Sequence, residues 1–305
     1  MSQTNAIYGS ATQLGIDATS TIGAGKRYNF DECTIGLHES LEDMNGLRGT
    51  LERSVEATRP GIQRVGGKIT MRPTALELSQ LLPWILGTVV SSTTYALSNV
   101  VIPKYVKVAR DNALYGGTAG KVFGYAGCAV DKAVFRAVQG GIPLSLDMDV
   151  IGTTETVGNE GTFDAALTID VTTKPWLFTD LALTVNSVAL NPKDFELSID
   201  WKIDKERFLN SLTLLAALKT DCDIQLKCHV PFAGAEAVYN AGSGGVSATA
   251  VFTNGVDVLT FTMAALTFMR EGQQNAGRNE TMLPISGKAL HSGTTSGLVT
   301  TLALS

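Results

Sequence analysis

Apolar and polar residues alternate along much of this chain, which is the signature of strands with one buried face. The clearest run is Leu144-Ser-Leu-Asp-Met-Asp-Val, with Leu144, Leu146, Met148 and Val150 on one side and Ser145, Asp147 and Asp149 on the other. Similar runs cover Lys68–Arg72, Tyr105–Val108, Lys121–Tyr125, Ala133–Val138, Leu181–Val185, Phe195–Trp201 and Cys222–Val230. Ala248–Thr253 and Val258–Thr262 flank Asn254-Gly255, a strong hairpin signal.

Helical signals are few. Thr74-Ala-Leu-Glu opens one helix with a capping box between Thr74 and Glu77. Its expected apolar side is Leu76, Leu81, Leu82 and Ile85. It stops at Gly87, and Pro83 should kink or shorten its last turn. A short second helix is expected over 233–241, and the Leu-rich run Phe208–Leu218 has a helical composition. Residues 1–25 are small and polar and read as a flexible arm. Gly36–Pro60 has no clean period and reads as a long loop, and Gly152–Phe163 as a linker.

The order of elements repeats. Lys68-Ile-Thr-Met-Arg-Pro-Thr-Ala-Leu-Glu aligns without a gap on Lys227-Cys-His-Val-Pro-Phe-Ala-Gly-Ala-Glu, each a strand ending near a proline with a helix after it. The alignment predicts a tandem duplication: an arm over 1–25, a first unit over 26–155, a linker over 156–177 and a second unit over 178–305. With 31 glycines and many Ser/Thr turns, the fold class is mainly β, two duplicated β-sandwiches each carrying one flanking α-helix.

Charged residues make up only 17% of the chain, below the roughly 25% of an average domain. So sparse a charge suits a protein whose surface is covered by other subunits. The net charge of −5 and the lack of Lys/Arg runs argue against gripping nucleic acid through phosphates. Asp147, Asp149, Asp200, Asp221 and Asp223 fall on outward strand positions and read as a solvated acidic sheet face, not a cation site.

Candidate chemistry is absent from the sequence. His38, His229 and His291 have no nucleophile and carboxylate pattern around them. Gly116-Gly-Thr-Ala-Gly-Lys-Val departs from a phosphate loop at Tyr115 and Val122 and precedes a strand. Cys33, Cys128, Cys222 and Cys228 have no metal-ligand spacing and read as free thiols. The expectation is a non-enzyme with no cofactor and no membrane span. An adhesin-like or carbohydrate-binding sandwich is the alternative, but aromatics are only 7% and are not clustered.

Several stretches taken together resemble the tail tube (major tail) proteins of long-tailed, non-contractile bacteriophages. They are Gly25-Lys-Arg-Tyr-Asn-Phe, Gly46-Leu-Arg-Gly-Thr, Gly67–Gly87, Phe178–Val185, Asp194–Asp200 and Glu206–Thr213. The resemblance implies sandwich domains whose sheets join side by side into a ring, and rings stacked into a virion tail tube assembled in the host cytoplasm. It implies that two domains per chain would make a trimer a pseudo-hexamer. Expected partners are other copies of the chain and the tape-measure, tail-terminator and tail-tip proteins, with DNA passing through the lumen without specific binding. The family's ring-stacking loop falls at Gly36–Pro60, where Glu39, Glu42, Asp43, Arg48, Arg53 and Arg59 become candidate stacking residues, and at Lys202–Thr220. Asp147, Asp149, Asp200 and Asp223 become candidates for a lumen face.

Overall fold

A computed structural model of the chain describes residues 12–23, 26–43, 58–110, 121–159, 173–241, 244–268, 281–293 and 295–304. The chain is mainly β. Its first half runs β1 (Thr12–Asp17), β2 (Arg27–Tyr28), β3 (Glu32–Cys33), β4 (Gly36–Asp43), β5 (Thr58–Met71), α1 (Ala75–Leu86), β6 (Gly87–Ser91), β7 (Thr94–Leu97), β8 (Lys104–Arg110), β9 (Lys121–Val138), β10 (Ser145–Gly152) and β11 (Thr154–Asn159). The second half runs β12 (Leu181–Val185), β13 (Val188–Leu190), β14 (Asp194–Asp200), β15 (Ile203–Asp204), β16 (Leu218–Lys219), β17 (Asp223–Pro231), α2 (Glu236–Ala241), β18 (Val246–Thr253), β19 (Val258–Phe268), β20 (Met282–Leu290) and β21 (Val299–Ala303).

One antiparallel layer crosses the whole molecule in the order β3/β4, β5, β10, β9, β14, β17, β20, β19. The second layer has two parts. In the first half it is β2, β1, β8, β9, β11, and in the second it is β13, β12, β18, β19, β21, with β21 continuing onto β7 and β6. β9 and β19 therefore serve both layers. Each rises through one sheet and folds over into the other, β9 turning at Gly127 with φ +61°, a conformation that suits glycine.

Apart from the β6–β7 hairpin and the β15–β16 pair, the pairing pattern of 12–159 resembles that of 181–303. It includes a bulge where Lys104 and Val106 face Cys128 and Tyr125, matched where Val246 and Ala248 face Leu266 and Met263. That bulge aligns Cys128 with Leu266. Starting instead from the sequence alignment of Lys68 with Lys227 and following the ladders through β10 and β20 brings Val130 onto Phe268, which is the same shift.

The two halves share a core. Phe135 of β9 packs on Phe261 at 5.0 Å between centroids, and Phe195 packs edge-on to Phe252 at 5.4 Å. All four rings are fully buried, each worth roughly 1.5–3 kcal/mol. Trp201 donates its indole N–H to Ile85 O at 2.7 Å, filling a carbonyl left open at the end of α1. Lys219 lies over the Trp201 ring at 3.5 Å and donates to Ser98 O at 3.0 Å, and burial pushes its amine down to about 8.

Helix α1 has the expected capping box. Glu77 N donates to Thr74 Oγ1 and Thr74 N to Glu77 Oε2, and Gly87 ends the helix at φ +94°. The helix runs through Pro83 to the expected end at Gly87. The carbonyl that Pro83 leaves unpaired, Ser79 O, accepts instead from the Tyr95 hydroxyl at 3.5 Å. The buried side is Ala75, Leu78, Leu81, Leu82, Trp84 and Ile85, whereas Leu76 is exposed.

Five local readings are corrected. Residues 12–17 are not arm but the strand β1, with Leu14 and Ile16 wholly buried. Most of Gly36–Pro60 that is described is ladder, because β4 and β5 extend as a two-stranded arm beyond the layer and expose both faces there. Residues 154–159 are strand β11, not linker. Phe208–Leu218 is not helical: Leu209 and Asn210 have positive φ, and the Gln63 N–H bonds to Leu212 O, docking the segment on the arm. The second helix is shorter than expected, over Glu236–Ala241.

Candidate assembly interface

Outward positions of the continuous layer form one broad polar face. Asp147, Asp149, Asp200 and Asp223 all lie on it, as the alternation predicts. Asp149 is exposed, but the other three carboxylates are shielded by basic neighbours, on adjacent strands for Asp147 and Asp223 and just past the end of β14 for Asp200. Lys68 lies 3.3 Å from Asp147, Lys202 2.7 Å from Asp200 and Lys288 3.2 Å from Asp223. Arg136 bridges Asp147 and Glu196, and Lys227 also approaches Glu196. The Asp200 carboxyl sits below its ordinary range because the Lys202 ammonium and amide outweigh its burial, which is the largest effect and acts upward. The face is thus charge-balanced, not acidic. Lys68, Arg136, Lys227 and Lys288 sit on outward positions of neighbouring strands and Lys202 lies just past the end of β14, so matching them to the carboxylates requires the strand order.

The two halves meet on this face through the β9–β14 ladder, which runs from Lys132 opposite Asp200 to Val138 opposite Asp194. Arg136 Nε donates across it to Glu196 at 2.9 Å. His229 pairs with Asp194 at 2.8 Å beside the seam. On the far side, β3 and β4 occupy in the first half the place of β14 in the second, and among the described residues β4 is laddered only to β5. Thr34 N–H donates to Lys68 O, so antiparallel alternation points the N–H groups of Ile35 and Leu37 outward.

The proposed stacking residues gather on the arm. Glu39 accepts from Gln63 Nε2 at 3.0 Å, Glu42 stands opposite Arg59, and Asp43 ends β4. Arg48 and Arg53 lie outside the described residues. Sequence reasoning missed Arg64, which binds Glu206 at 2.8 Å and stacks 5.6 Å from the Phe208 ring, fixing the Leu-rich segment of the second half to the arm of the first. No local pattern could have paired two residues so far apart in sequence. Among the described residues no group of three or more His, Cys, Asp or Glu could hold a metal ion, and no helix is long and apolar enough to cross a membrane.

A family model, phage tail tube protein, matches residues 9–289 and so spans both halves and their seam. The chain belongs to the phage tail tube protein family. A search of curated proteins found no match. Membership makes the chain a structural component of a virion tail, of a family that self-assembles into a tube. The family's role is structural, not catalytic.

Proposed function

We propose that the chain carries two tail tube modules, the product of a tandem duplication, and that three chains close into a ring of six modules that stacks into a conduit for DNA. The observation that carries this is the β9–β14 ladder, a module-to-module junction already made within one polypeptide. Its counterpart between chains pairs the outer edge of β3 and β4 with the second module of the next copy. Closing the ring removes the exposed edge and gains binding energy from it.

With β3 and β4 taken as one edge position, the described residues of each chain contribute eight strands to the continuous layer, so three contribute 24. At about 4.8 Å between strands and a tilt of ~40°, such a barrel has a backbone diameter of about 48 Å. Side chains on the polar face narrow it but still admit a double helix. That face alternates in sign, so phosphates meet neither a strong field to hold them nor one to exclude them. In this reading assembly takes place in the host cytoplasm, and the tape-measure, terminator and tip proteins of a non-contractile tail cap and gauge the tube. Image analysis of tubes grown from purified protein tests it. Three-fold ring symmetry and a wall of about 48 Å backbone diameter are expected, whereas six chains per ring would double that diameter and overturn the proposal.

A further inference from the structure

The two halves differ at one strand of the second layer. β11 and β21 are equivalents, since Val157 stands opposite Phe123 of β9 as Thr300 stands opposite Phe261 of β19. β21 carries a further strand on its outer edge. β7 pairs with it antiparallel and sets Tyr95 opposite Thr300, and the Leu302 N–H bonds to Thr93 O at 2.8 Å. Under this cover Thr300 is 0% exposed and Tyr95 only 4%.

β11 has no such cover, and among the described residues it is laddered only to β9. Val157 is 57% exposed, an aliphatic side chain at a position that is sealed in the other half. Alternation along β21 points the N–H groups of Thr300 and Leu302 toward β7, so at the equivalent place the Val157 N–H points out of the sheet edge. The strand reads Thr154-Glu-Thr-Val-Gly-Asn, without the lysine or proline that blunts an edge against strand addition. The difference arises in the links after the helices. Residues 87–103 join α1 to β8 and hold the β6–β7 hairpin, whereas α2 ends at Ala241 and β18 begins at Val246, too close in sequence for a second hairpin.

β11 runs beside β4 and β5, the strands that end the continuous layer, so it stands over the edge where an adjoining copy would dock. That copy presents its second module there, the half without a hairpin. Each junction between chains therefore leaves a slot in the second layer where the junction within a chain has β7 and β6. With the polar face of the continuous layer turned to the lumen, the second layer is the outside of the wall. Resting on the tube reading above, we infer that the outer edge of β11 is a docking site on the tube's exterior for a strand of a different protein. The incoming strand lies antiparallel to β11, as β7 lies on β21, and sets an aromatic or large aliphatic side chain opposite Val157. The occupant is not a second copy, because among the described residues each copy already spends its hairpin on its own β21 and has no equivalent in its second module to offer.

The test uses full-length protein and a cyclised peptide carrying Gly87–Leu97, the sequence that covers β21. Hydrogen exchange at the amide of position 157 is read by mass spectrometry with electron-transfer fragmentation. It should be fast in single chains and in tubes grown from purified protein, and the peptide should slow it in both while the tubes stay intact. Val157→Lys should still build tubes but show no slowing, because a charge on the edge opposes strand addition. If that variant melts early, Val157→Gln takes its place. Val157→Thr, which installs the side chain of the equivalent position, should keep the response. No slowing in wild type, or slowing that survives Val157→Lys, overturns the assignment. Slow exchange in tubes without peptide means that a copy of the chain fills the slot, and overturns it too. Single chains that respond to the peptide but build neither rings nor tubes overturn the tube reading and leave the strand site standing.

Discussion

A few side chains hold the two halves in register, and Trp201 is the clearest. It is buried, and its indole closes a carbonyl at the end of α1 in the other half of the chain. Trp201→Phe keeps most of the ring but leaves Ile85 O without that donor, and should cost about 1–3 kcal/mol in chemical denaturation. Gly87 is equally constrained. Its φ is +94°, and a Cβ there would lie 2.6 Å from Val100 O and 2.7 Å from Ser98 O. Gly87→Ala should lower stability by about 1–3 kcal/mol or more, read as a drop in melting temperature. The thiols give a pH signature. Burial pushes Cys128 and Cys228 from near 9 up to about 12, so between those values the folded chain keeps protons that the unfolded chain has lost. Stability from these groups falls as pH climbs through that window. Lys219, pushed down to about 8 from 10.5, acts in the opposite sense between those two values. Replacing Cys128 and Cys228 with Ala should therefore flatten the alkaline decline in melting temperature, even though it lowers the value near neutrality.

At the scale of elements, what the sequence made legible was local. The α1 cap depends on two residues three apart, and the β10 alternation on one strand with one buried face. The arm was not legible, because β4 and the outer part of β5 have no core beneath them and both faces carry polar residues, which leaves no period to read. β1 is short and lies in a small, polar context, so only its tertiary neighbours reveal that Leu14 and Ile16 are core. The leucines of 208–218 have helical composition, but backbone bonds to the arm and two residues with positive φ claim the chain first. The candidate acidic face was found from alternation alone, whereas the cations that balance it required the strand order. The β4 edge yields a direct test. Leu37→Pro removes an outward N–H while sparing the ladder to β5, and Pro is tolerated on edge strands. The variant should fold with a native circular dichroism spectrum and stay a single chain in analytical ultracentrifugation at concentrations where wild type forms rings.

For the whole molecule, the two halves are joined in both layers, by β9 to β14 on one and by β21 to β7 on the other. With one shared core, the chain should unfold in a single transition, and calorimetric and van 't Hoff enthalpies should agree. The β9–β14 ladder also bears on how fast rings appear. In the proposed ring, three of the six junctions form when each polypeptide folds, so closure needs three molecules to meet and not six. Tethering holds the two partners of each such junction at an effective concentration far above that of free copies. A dilute pool of newly made chains therefore passes through only one incomplete species larger than a single chain, which shortens the lag before elongation and leaves little open-ended material to aggregate.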